Sequence, residues 1–178
     1  MALPLFLLQT NDMQPIVILK RPVPGLSDSQ LAKFTATACK AARLRGTVTV
    51  LVGGNREVRA LNLRFKGNNR STDVLSFPAP IFVRGFAGDI AISADTAARN
   101  ARALGHSASD EIRILVLHGV LHLAGYDHES DNGEMADREQ FMRKQLGLPM
   151  GLIQRNTGPK AARRKTKWAA RRPVPART

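Results

Sequence analysis

The chain has 178 residues, with 27 lysines and arginines against 14 acidic residues, a formal charge of +13 and a pI near 11.2. Its length suits a single domain with one core, a hydrophobic content of 43% excludes a globally disordered chain, and a mean hydropathy of -0.19 argues against a polytopic membrane protein. The single cysteine, Cys39, excludes a disulfide framework and any multi-cysteine zinc or iron–sulfur site, so a protein of the reducing cytoplasm is expected.

A short apolar run near the N-terminus, residues 3–8, has the features of neither a signal peptide nor a membrane span. No basic residue precedes it, polar residues 10–12 follow at once, and there is no small-residue cleavage pattern. No run in the sequence approaches the roughly 20 apolar residues that cross a bilayer. We therefore expect a cytoplasmic protein with no membrane partner.

Apolar periodicity, β-branched runs and turn residues predict four strands and five helices. The first strand covers residues 16–19, and the first helix runs from about 29 to 45, with Ser27 or Asp28 as its cap and Gly46 as its stop. The other strands are expected at 47–52, 73–77 and 88–93, and the other helices after an Asn55 cap and at 95–104, 109–124 and 132–146. This order predicts an α+β fold, a single domain in which about five helices pack against a mixed, mostly four-stranded sheet.

Three of the four histidines fall within eleven residues, at His118, His122 and His128. The first two are four residues apart on a predicted helix, so their rings share one face, within about 5–6 Å at Cβ. Apart from Arg113 and Gly119 that helix is apolar from residue 112 to 124. Imidazoles buried on such a helix cost free energy unless a partner satisfies them.

The pattern therefore predicts a metal site on a buried helix, because neutral imidazole nitrogens bind zinc at about 2.0–2.1 Å. Gly125 suits the left-handed conformation that ends a helix, and the turn after it can bring His128 to the same point. Three histidines without a fourth protein ligand describe an open site, where a zinc-bound water has its pKa lowered to about 7. The alternative is that histidines are satisfied by backbone groups, and we favour it only for the isolated His106.

Two families share the skeleton His-x-x-x-His-x-x-Gly-x-x-His. In metzincin metalloproteases the second position is a glutamate that acts as general base, whereas Gly119 stands there in this chain and cannot accept a proton. Residues 118–128 instead resemble the signature of the bacterial endoribonuclease YbeY family, His-Gly-x-Leu-His-Leu-x-Gly-Tyr-Asp-His, at every fixed position. Two further blocks agree, one within residues 61–78 and one at 88–90, so the resemblance covers roughly 47–147.

The resemblance implies a mixed sheet packed by helices, with His118, His122 and His128 holding one zinc ion per chain. It implies a single-strand-specific, metal-dependent endoribonuclease that matures ribosomal RNA, particularly the 3′ end of the small-subunit RNA, and that acts in ribosome quality control. The implied partners are ribosomal RNA, the small ribosomal subunit, a small-subunit ribosomal protein and a ribosome-assembly GTPase.

One position departs from the family pattern. The family usually has an arginine just before the glycine of the second block, and this chain has Lys66. Lysine keeps a positive charge for a scissile phosphate but loses the two-pronged geometry of a guanidinium. We assign His118 and Lys66 as the catalytic residues, with Lys66, Arg64 and Arg70 as RNA-binding residues of the body.

Four further residues are candidates for supporting roles around the site. Asp127 either accepts a hydrogen bond from the second ring nitrogen of a ligand or caps the turn before His128. Asp73 and Ser76 lie beside a strand that is expected to line the cleft, with a structural role at the strand end as the alternative. Asp89 is a candidate to hold a cleft loop or a basic residue.

The excess charge is concentrated at the C-terminus, where residues 160–178 hold eight basic and no acidic residues. We expect residues 1–154 to form the endoribonuclease domain and 155–178 to form a basic, disordered tail. The tail is either a solvated charge run or an RNA-binding arm, whose candidate contacts are Arg163, Arg164, Lys165 and Lys167.

Two other functions remain open from the sequence. No general base is obvious, so the chain could be a ribosome-assembly binding factor in which the metal is structural. A metalloprotease is the third candidate, and Gly119 argues against it.

Overall fold

A computed structural model describes residues 14–80, 82–128 and 131–149. In chain order the elements are β1 (Ile16–Leu19), α1 (Asp28–Ala41), β2 (Thr47–Gly53), α2 (Asn55–Lys66), β3 (Val74–Pro78), β4 (Phe86–Ser93), α3 (Ala94–Leu104), α4 (Ala108–Leu123) and α5 (Glu134–Leu146). The predicted α+β fold, a mixed four-stranded sheet packed by five helices, is confirmed. None of the helices in these ranges is long and apolar enough to cross a membrane. The N-terminal run 3–8, the domain boundary at 154 and the basic tail lie outside the described residues.

The sheet has the order β1-β2-β4-β3, in which β1, β2 and β4 run parallel and β3 runs antiparallel to β4. The connections explain these directions, because a helical crossover is needed between parallel neighbours whereas a short loop joins antiparallel ones. Helix α1 makes the crossover from β1 to β2, and only the short loop after β3 leads into β4. The strand β3 therefore lies at an edge of the sheet, beside the cleft described below.

Helices cover both faces of the sheet, since strand side chains alternate between the faces. On one face Val50 of β2 and Ile90 of β4 pack with Leu31 of α1 and Leu117 of α4 in the main core. On the other face α2 covers a smaller cluster of buried residues, Val58, Leu75 and Ala91. Burying each large aliphatic side chain contributes about 1.5–3 kcal/mol. The packing of α4 directly on the sheet fixes the position of its C-terminal end.

The first helix is shorter than its sequence predicts, because α1 ends at Ala41 rather than near residue 45. Arg43 has a φ of 57°, the left-handed conformation that reverses the chain, and it takes the place predicted for Gly46. Gly46 serves a different purpose. A Cβ there would lie 2.9 Å from backbone atoms of Phe86 and Ala87, so the glycine permits the close approach of the chain to β4.

The second helix begins close to its predicted start, but Asn55 does not cap it. Gly54 is the N-cap and makes no side-chain capping bond. The Asn55 Oδ1 atom instead accepts hydrogen bonds from the hydroxyls of Ser71, Ser93 and Thr96, at 3.0, 2.6 and 2.8 Å. This one oxygen ties the start of α2 to the end of β4 and to the loop before β3.

Candidate metal centre

Helix α4 carries the first two histidines on one face. It is capped by Ser107, whose hydroxyl accepts the Asp110 N–H at 3.0 Å, and it is buried along most of its length. His118 is 5% exposed and His122 is half-buried. Their separation of four residues brings the ring centroids within 4.7 Å of each other.

The turn after α4 brings in the third histidine. Gly125 has a φ of 93°, as its predicted helix-ending role requires. The Gly125 N–H donates to the carbonyl of His122 and the Tyr126 N–H to that of Leu121, both at 3.0 Å, so carbonyls at the end of the helix find partners. The reversed chain places the His128 ring centroid 5.4 Å from that of His118 and 5.2 Å from that of His122.

Hydrogen bonds orient two of the three rings. The Nδ1 atom of His118 lies 3.0 Å from a carboxylate oxygen of Glu139, and the Nδ1 atom of His122 lies 3.0 Å from the Tyr126 carbonyl oxygen. Both partners are acceptors, so each neutral ring carries its proton on Nδ1 and a lone pair on Nε2. The site therefore presents two Nε2 lone pairs toward the same point.

The nitrogen positions fit a metal ion. The Nε2 atoms of His118 and His122 are 3.1 Å apart, and one ring nitrogen from each of the three histidines lies within 4.8 Å of the other two. Two nitrogens bound tetrahedrally at about 2.0–2.1 Å would be about 3.3 Å apart. When both rings are neutral, the Nε2 lone pairs of His118 and His122 face each other at this distance and repel. A cation bound between them removes the repulsion. The triad can therefore hold a metal ion.

The environment also keeps His122 in the form that binds a cation. Burial, followed by the neighbouring His118 and His128, lowers the pKa of His122 to about 4, against smaller opposing effects of the Tyr126 carbonyl and Asp127. The ring is therefore neutral at physiological pH. Metal binding at that pH does not have to displace a proton from Nε2.

A cleft of about 520 Å³ opens beside the three histidines. It runs between the end of α4 and the edge strand β3. Its walls are formed by Lys66, Thr72, Asp73, Val74, Ser76, Pro78, His118, His122, Gly125, Tyr126, Asp127 and His128. Four residues assigned from the sequence, Lys66, Asp73, Ser76 and Asp127, thus share this cleft with the triad.

Three other candidates lie outside the walls of the cleft. Asp89 is exposed on β4, where it pairs with Phe77 across the strands, and Arg70 is exposed in the loop after α2. The Arg64 guanidinium lies 5.3 Å from the centroid of the Phe65 ring. The tail candidates Arg163, Arg164, Lys165 and Lys167 are beyond the described residues.

Asp73 has structural contacts of its own in the cleft. Its Oδ1 atom accepts hydrogen bonds from the Thr72 hydroxyl at 3.1 Å and from the Val74 N–H at 2.9 Å. These bonds begin β3. The carboxylate therefore has the strand-end role that the sequence left as an alternative, and it also forms part of the cleft wall.

Glu139 is a site residue that the sequence did not reveal. It lies on α5, 21 positions after His118, and its carboxylate is buried. The available signal was its position on the apolar face of a predicted helix, between the buried residues Met135 and Met142. An acidic residue at such a position needs a buried partner.

A second buried pair, between His106 and Glu111, was also not predicted from the sequence. The His106 Nε2 atom lies 2.7 Å from a Glu111 carboxylate oxygen, and both side chains are buried. Asn100 donates to the other oxygen of Glu111 at 3.3 Å. His106 is thus not a ligand of the triad, and it joins the end of α3 to the first turns of α4.

Gly119 faces the sheet rather than the cleft. A Cβ at this position would lie 2.9 Å from two side-chain carbons of Ile90. A glutamate there would have no room unless Ile90 moved. The position that supplies the general base of a metzincin therefore cannot do so here.

Known proteins are similar to this chain in both sequence and fold. A family model described as Endoribonuclease YbeY matches residues 26–147. The chain belongs to the endoribonuclease YbeY family. An endoribonuclease YbeY from Koribacter versatilis is 54% identical over 152 residues, which cover 84% of this chain and 99% of that protein. The one from Solibacter usitatus is 50% identical over 107 residues, 59% of this chain and 69% of that protein.

A solved structure agrees with the fold of this YbeY family member. The solution structure of TM1509 from Thermotoga maritima matches with a TM-score of 0.51 and 28% identity, covering 75% of this chain and 89% of that one. The resemblance predicted from the histidine signature is confirmed. Membership of this family supports endoribonuclease activity, which is the cleavage of phosphodiester bonds inside an RNA strand.

Proposed function

We propose that this protein is a metal-dependent endoribonuclease that cleaves single-stranded RNA, with a zinc ion held by His118, His122 and His128. The observation that carries the proposal is the convergence of three imidazoles beside a cleft, with the Nδ1 atoms of two already engaged and their Nε2 atoms 3.1 Å apart. When bound at such a site, a zinc ion polarises a phosphoryl oxygen and lowers the pKa of a coordinated water.

The residues of the chain provide orientation and charge around that ion. Glu139 and the Tyr126 carbonyl fix the rings of His118 and His122, so that neither has to rotate before it binds. Lys66 lies in the wall of the same cleft and supplies a positive charge for the scissile phosphate. The fixed rings lower the cost of binding the ion, and the Lys66 charge lowers the cost of bringing a polyanion to the site.

Burial of the site favours a single strand as the substrate. His118 is 5% exposed and lies in the wall of a cleft, so a phosphodiester has to enter that cleft to reach it. A flexible single strand can do this, whereas the backbone of a duplex is held on a wide helix. The surplus positive charge of the chain adds affinity that does not depend on sequence.

The biological substrate is ribosomal RNA in this proposal, and the support comes from the family resemblance. The protein would mature the 3′ end of the small-subunit RNA and act in ribosome quality control in the cytoplasm. Its partners would be the small ribosomal subunit, a small-subunit ribosomal protein and a ribosome-assembly GTPase. The strongly basic composition suits an RNA-rich partner.

The test combines metal analysis with RNA cleavage. We expect His118→Ala and His122→Ala to lose bound zinc and to lose cleavage of a single-stranded RNA. His106→Gln is the matched control, because His106 pairs with Glu111 outside the triad and glutamine can still donate to that carboxylate. Unchanged cleavage in a His118→Ala protein that no longer holds its metal would overturn the mechanism.

A binding factor with a structural metal is the second candidate. It is favoured by the placement of the ligands, which join the end of α4 to the turn that follows it and so brace a local segment. In this case the chelated protein would still bind small subunits, and His118→Ala would impair folding rather than cleavage. The packing of Gly119 on Ile90 argues against a metalloprotease. Hydrolysis of casein that is abolished by a chelator would support that function instead.

The role of Lys66 has its own test. If its charge assists the reaction, Lys66→Ala lowers kcat by roughly tenfold or more, while Lys66→Arg retains or raises it because a guanidinium can hold two phosphate oxygens. Lys144, on α5, is the matched control. Equal rates for Lys66→Ala and Lys144→Ala would exclude a role in the reaction.

A further inference from the structure

The short loop between β3 and β4 exposes an aromatic residue. Phe82 is 85% exposed, the largest fraction among the large hydrophobic side chains that the structure describes, and the adjacent Val83 is 39% exposed. Arg84 follows, and no acidic residue occurs between positions 79 and 85. The loop thus presents a ring and a positive charge to solvent.

Backbone hydrogen bonds hold the described residues of this loop, 79–80 and 82–85, at its base and near its tip. The Ala79 N–H donates to the Ala87 carbonyl at 3.0 Å, and the Val83 N–H donates to the Pro80 carbonyl at 2.9 Å. At the far end the Gly85 carbonyl accepts from the N–H of Thr47, in β2, at 2.9 Å. A ligand that binds the Phe82 ring therefore does not have to order the whole loop first.

The loop begins at the end of the cleft that holds the histidines. Pro78 is the last residue of β3 and forms part of the cleft wall. It pairs with Gly88, where a Cβ would lie 2.8 Å from a side-chain carbon of Leu123, near the C-terminus of α4. Two residues earlier in β3, Ser76 pairs with Ile90, which packs on Gly119. Helix α4 therefore advances alongside β3 toward the loop.

The cleft and the loop therefore meet at the end of β3. The turn that carries His128 follows Leu123, so the triad lies at the same end of β3 as the loop. An RNA strand whose phosphodiester lay in the cleft would have this loop beside its neighbouring nucleotides. Aromatic side chains bind unpaired bases by stacking, and arginines bind the phosphates between them.

We propose that Phe82 stacks on an unpaired base of the RNA adjacent to the cleft and that Arg84 binds a neighbouring phosphate. This inference rests on the proposed function, because it takes the strand in the cleft to be the substrate. It extends the binding surface to a loop that lacks any residue of the histidine site. Stacking is available to every base, so the loop sets affinity and substrate length rather than sequence preference.

The test uses Phe82→Ala, Phe82→Leu, Phe82→Trp and Arg84→Gln in the full chain. Cleavage is measured on single-stranded oligoadenylates of about twelve and about four nucleotides, and binding is measured by anisotropy with a deoxyadenylate of about twelve nucleotides. The DNA probe reports stacking and phosphate binding without requiring cleavage. Phe141→Ala is the matched control, since Phe141 is a half-exposed ring on α5 that does not line the cleft.

We expect Phe82→Ala and Phe82→Leu to weaken DNA binding by roughly fivefold to a hundredfold and to raise KM for the longer RNA, so that its advantage over the shorter RNA shrinks. Phe82→Trp should retain or tighten binding, and the loss expected for Phe82→Leu separates stacking from a merely apolar contact, which leucine would largely keep. Arg84→Gln should reduce the slope of log K against log salt by about 0.7, the value for one neutralised phosphate.

Binding by Phe82→Ala that equals that of the wild type and of Phe141→Ala would overturn the inference and leave a protein partner as the occupant of the loop. Failure of the proposed function gives a different result. In that case the wild type cuts neither RNA, while the DNA-binding measurements still decide the role of Phe82.

Discussion

At the scale of single residues, Glu139 is the contact on which the orientation of the site depends. Its buried carboxylate accepts a hydrogen bond from the Nδ1–H of His118 and so holds the Nε2 lone pair toward the other rings. Carboxylate partners of this kind also raise the basicity of the ligand. The residue comes from α5, so the geometry of the triad depends on an element that supplies no ligand itself.

We predict that Glu139→Gln lowers the affinity for zinc by about 10- to 100-fold while the protein stays folded. Glutamine keeps the size of the side chain but removes the charge that favours the proton on Nδ1. Affinity is measured by competition with a chromogenic chelator. The exposed neighbour Gln140, changed to Ala, should bind zinc like the wild type, and equal affinity for both variants would contradict the prediction.

A second prediction at this scale concerns the metal-free protein and pH. The pKa of His122 falls from 6.5 to about 4 on folding, so between these values the unfolded chain holds a proton that the folded chain does not. Stability therefore decreases as pH falls through this range and is not reduced by this group above it. In the presence of chelator, the urea midpoint at about pH 5 should be lower than at about pH 7.

The His122→Asn variant separates this effect from that of the other titrating groups. Its urea midpoint should change less between the two pH values than that of the wild type. A change of the same size in both proteins would show that His122 does not carry the dependence.

At the scale of elements, the packing of α4 on β4 determines where the histidines lie. Gly119 sits directly on Ile90, so the helix approaches the sheet more closely than an alanine would allow. An outward movement of α4 would shift His118 relative to Glu139 on α5 and would carry both histidines away from the β3 residues of the cleft wall. The glycine next to the first ligand is thus a packing residue that sets the depth of the site.

We predict that Gly119→Ala destabilises the protein and reduces zinc retention. Overpacking costs about 1–3 kcal/mol, which outweighs the gain of about 1 kcal/mol from the better helix propensity of alanine. Thermal unfolding and bound zinc are the measurements. In an Ile90→Ala background the same change should become neutral or stabilising, and a loss of equal size in both backgrounds would contradict the steric explanation.

The sequence predicted the elements well where local signals are strong. The β-branched strand β2 and the helix-ending Gly125 were both recognised. The predicted end of α1 was wrong because residues 42–45, Ala-Arg-Leu-Arg, favour a continuing helix, whereas the chain turns at Arg43 and packs Leu44 against the main core. Local propensity cannot report a turn that tertiary packing imposes.

The same distinction applies to the site. The three histidines could be predicted as one site from the sequence, because the first two are one helical turn apart and the third follows a glycine turn. Glu139 was not, because the helix that brings it to His118 is separated from the triad in sequence and its position depends on how α5 packs. Lys66, Asp73 and Ser76 were placed near the cleft by family resemblance, which periodicity alone would not have indicated.

At the scale of the whole molecule, charge is distributed unequally. The last nineteen positions, 160–178, hold eight of the 27 basic residues and none of the 14 acidic ones. Residues 1–159 contain all 14 acidic residues, which offset most of the basic residues there, so the positive surplus of this part is smaller. Sequence-independent attraction to a polyanion should therefore depend strongly on these last positions.

We predict that deletion of residues 160–178 weakens RNA binding and flattens its salt dependence, by about 0.7 in the slope for each phosphate that the tail neutralises. Binding is measured by anisotropy across a salt series. A variant with the same tail residues in scrambled order should retain the wild-type slope, since charge and not sequence is responsible. Equal affinities at low salt with and without the tail would show that it is an inert solvated run.

The position of the ligands along the chain also orders events during synthesis. The four strands of the sheet end by Ser93, and His118, His122 and His128 come afterwards, followed by Glu139. A chain made from its N-terminus thus contains all four strands before the first histidine of the triad is added, and Glu139 is added last. Any ion that the triad captures would therefore be captured late in biogenesis, and a nascent chain that stops short of α5 carries the three histidines without the carboxylate that orients His118.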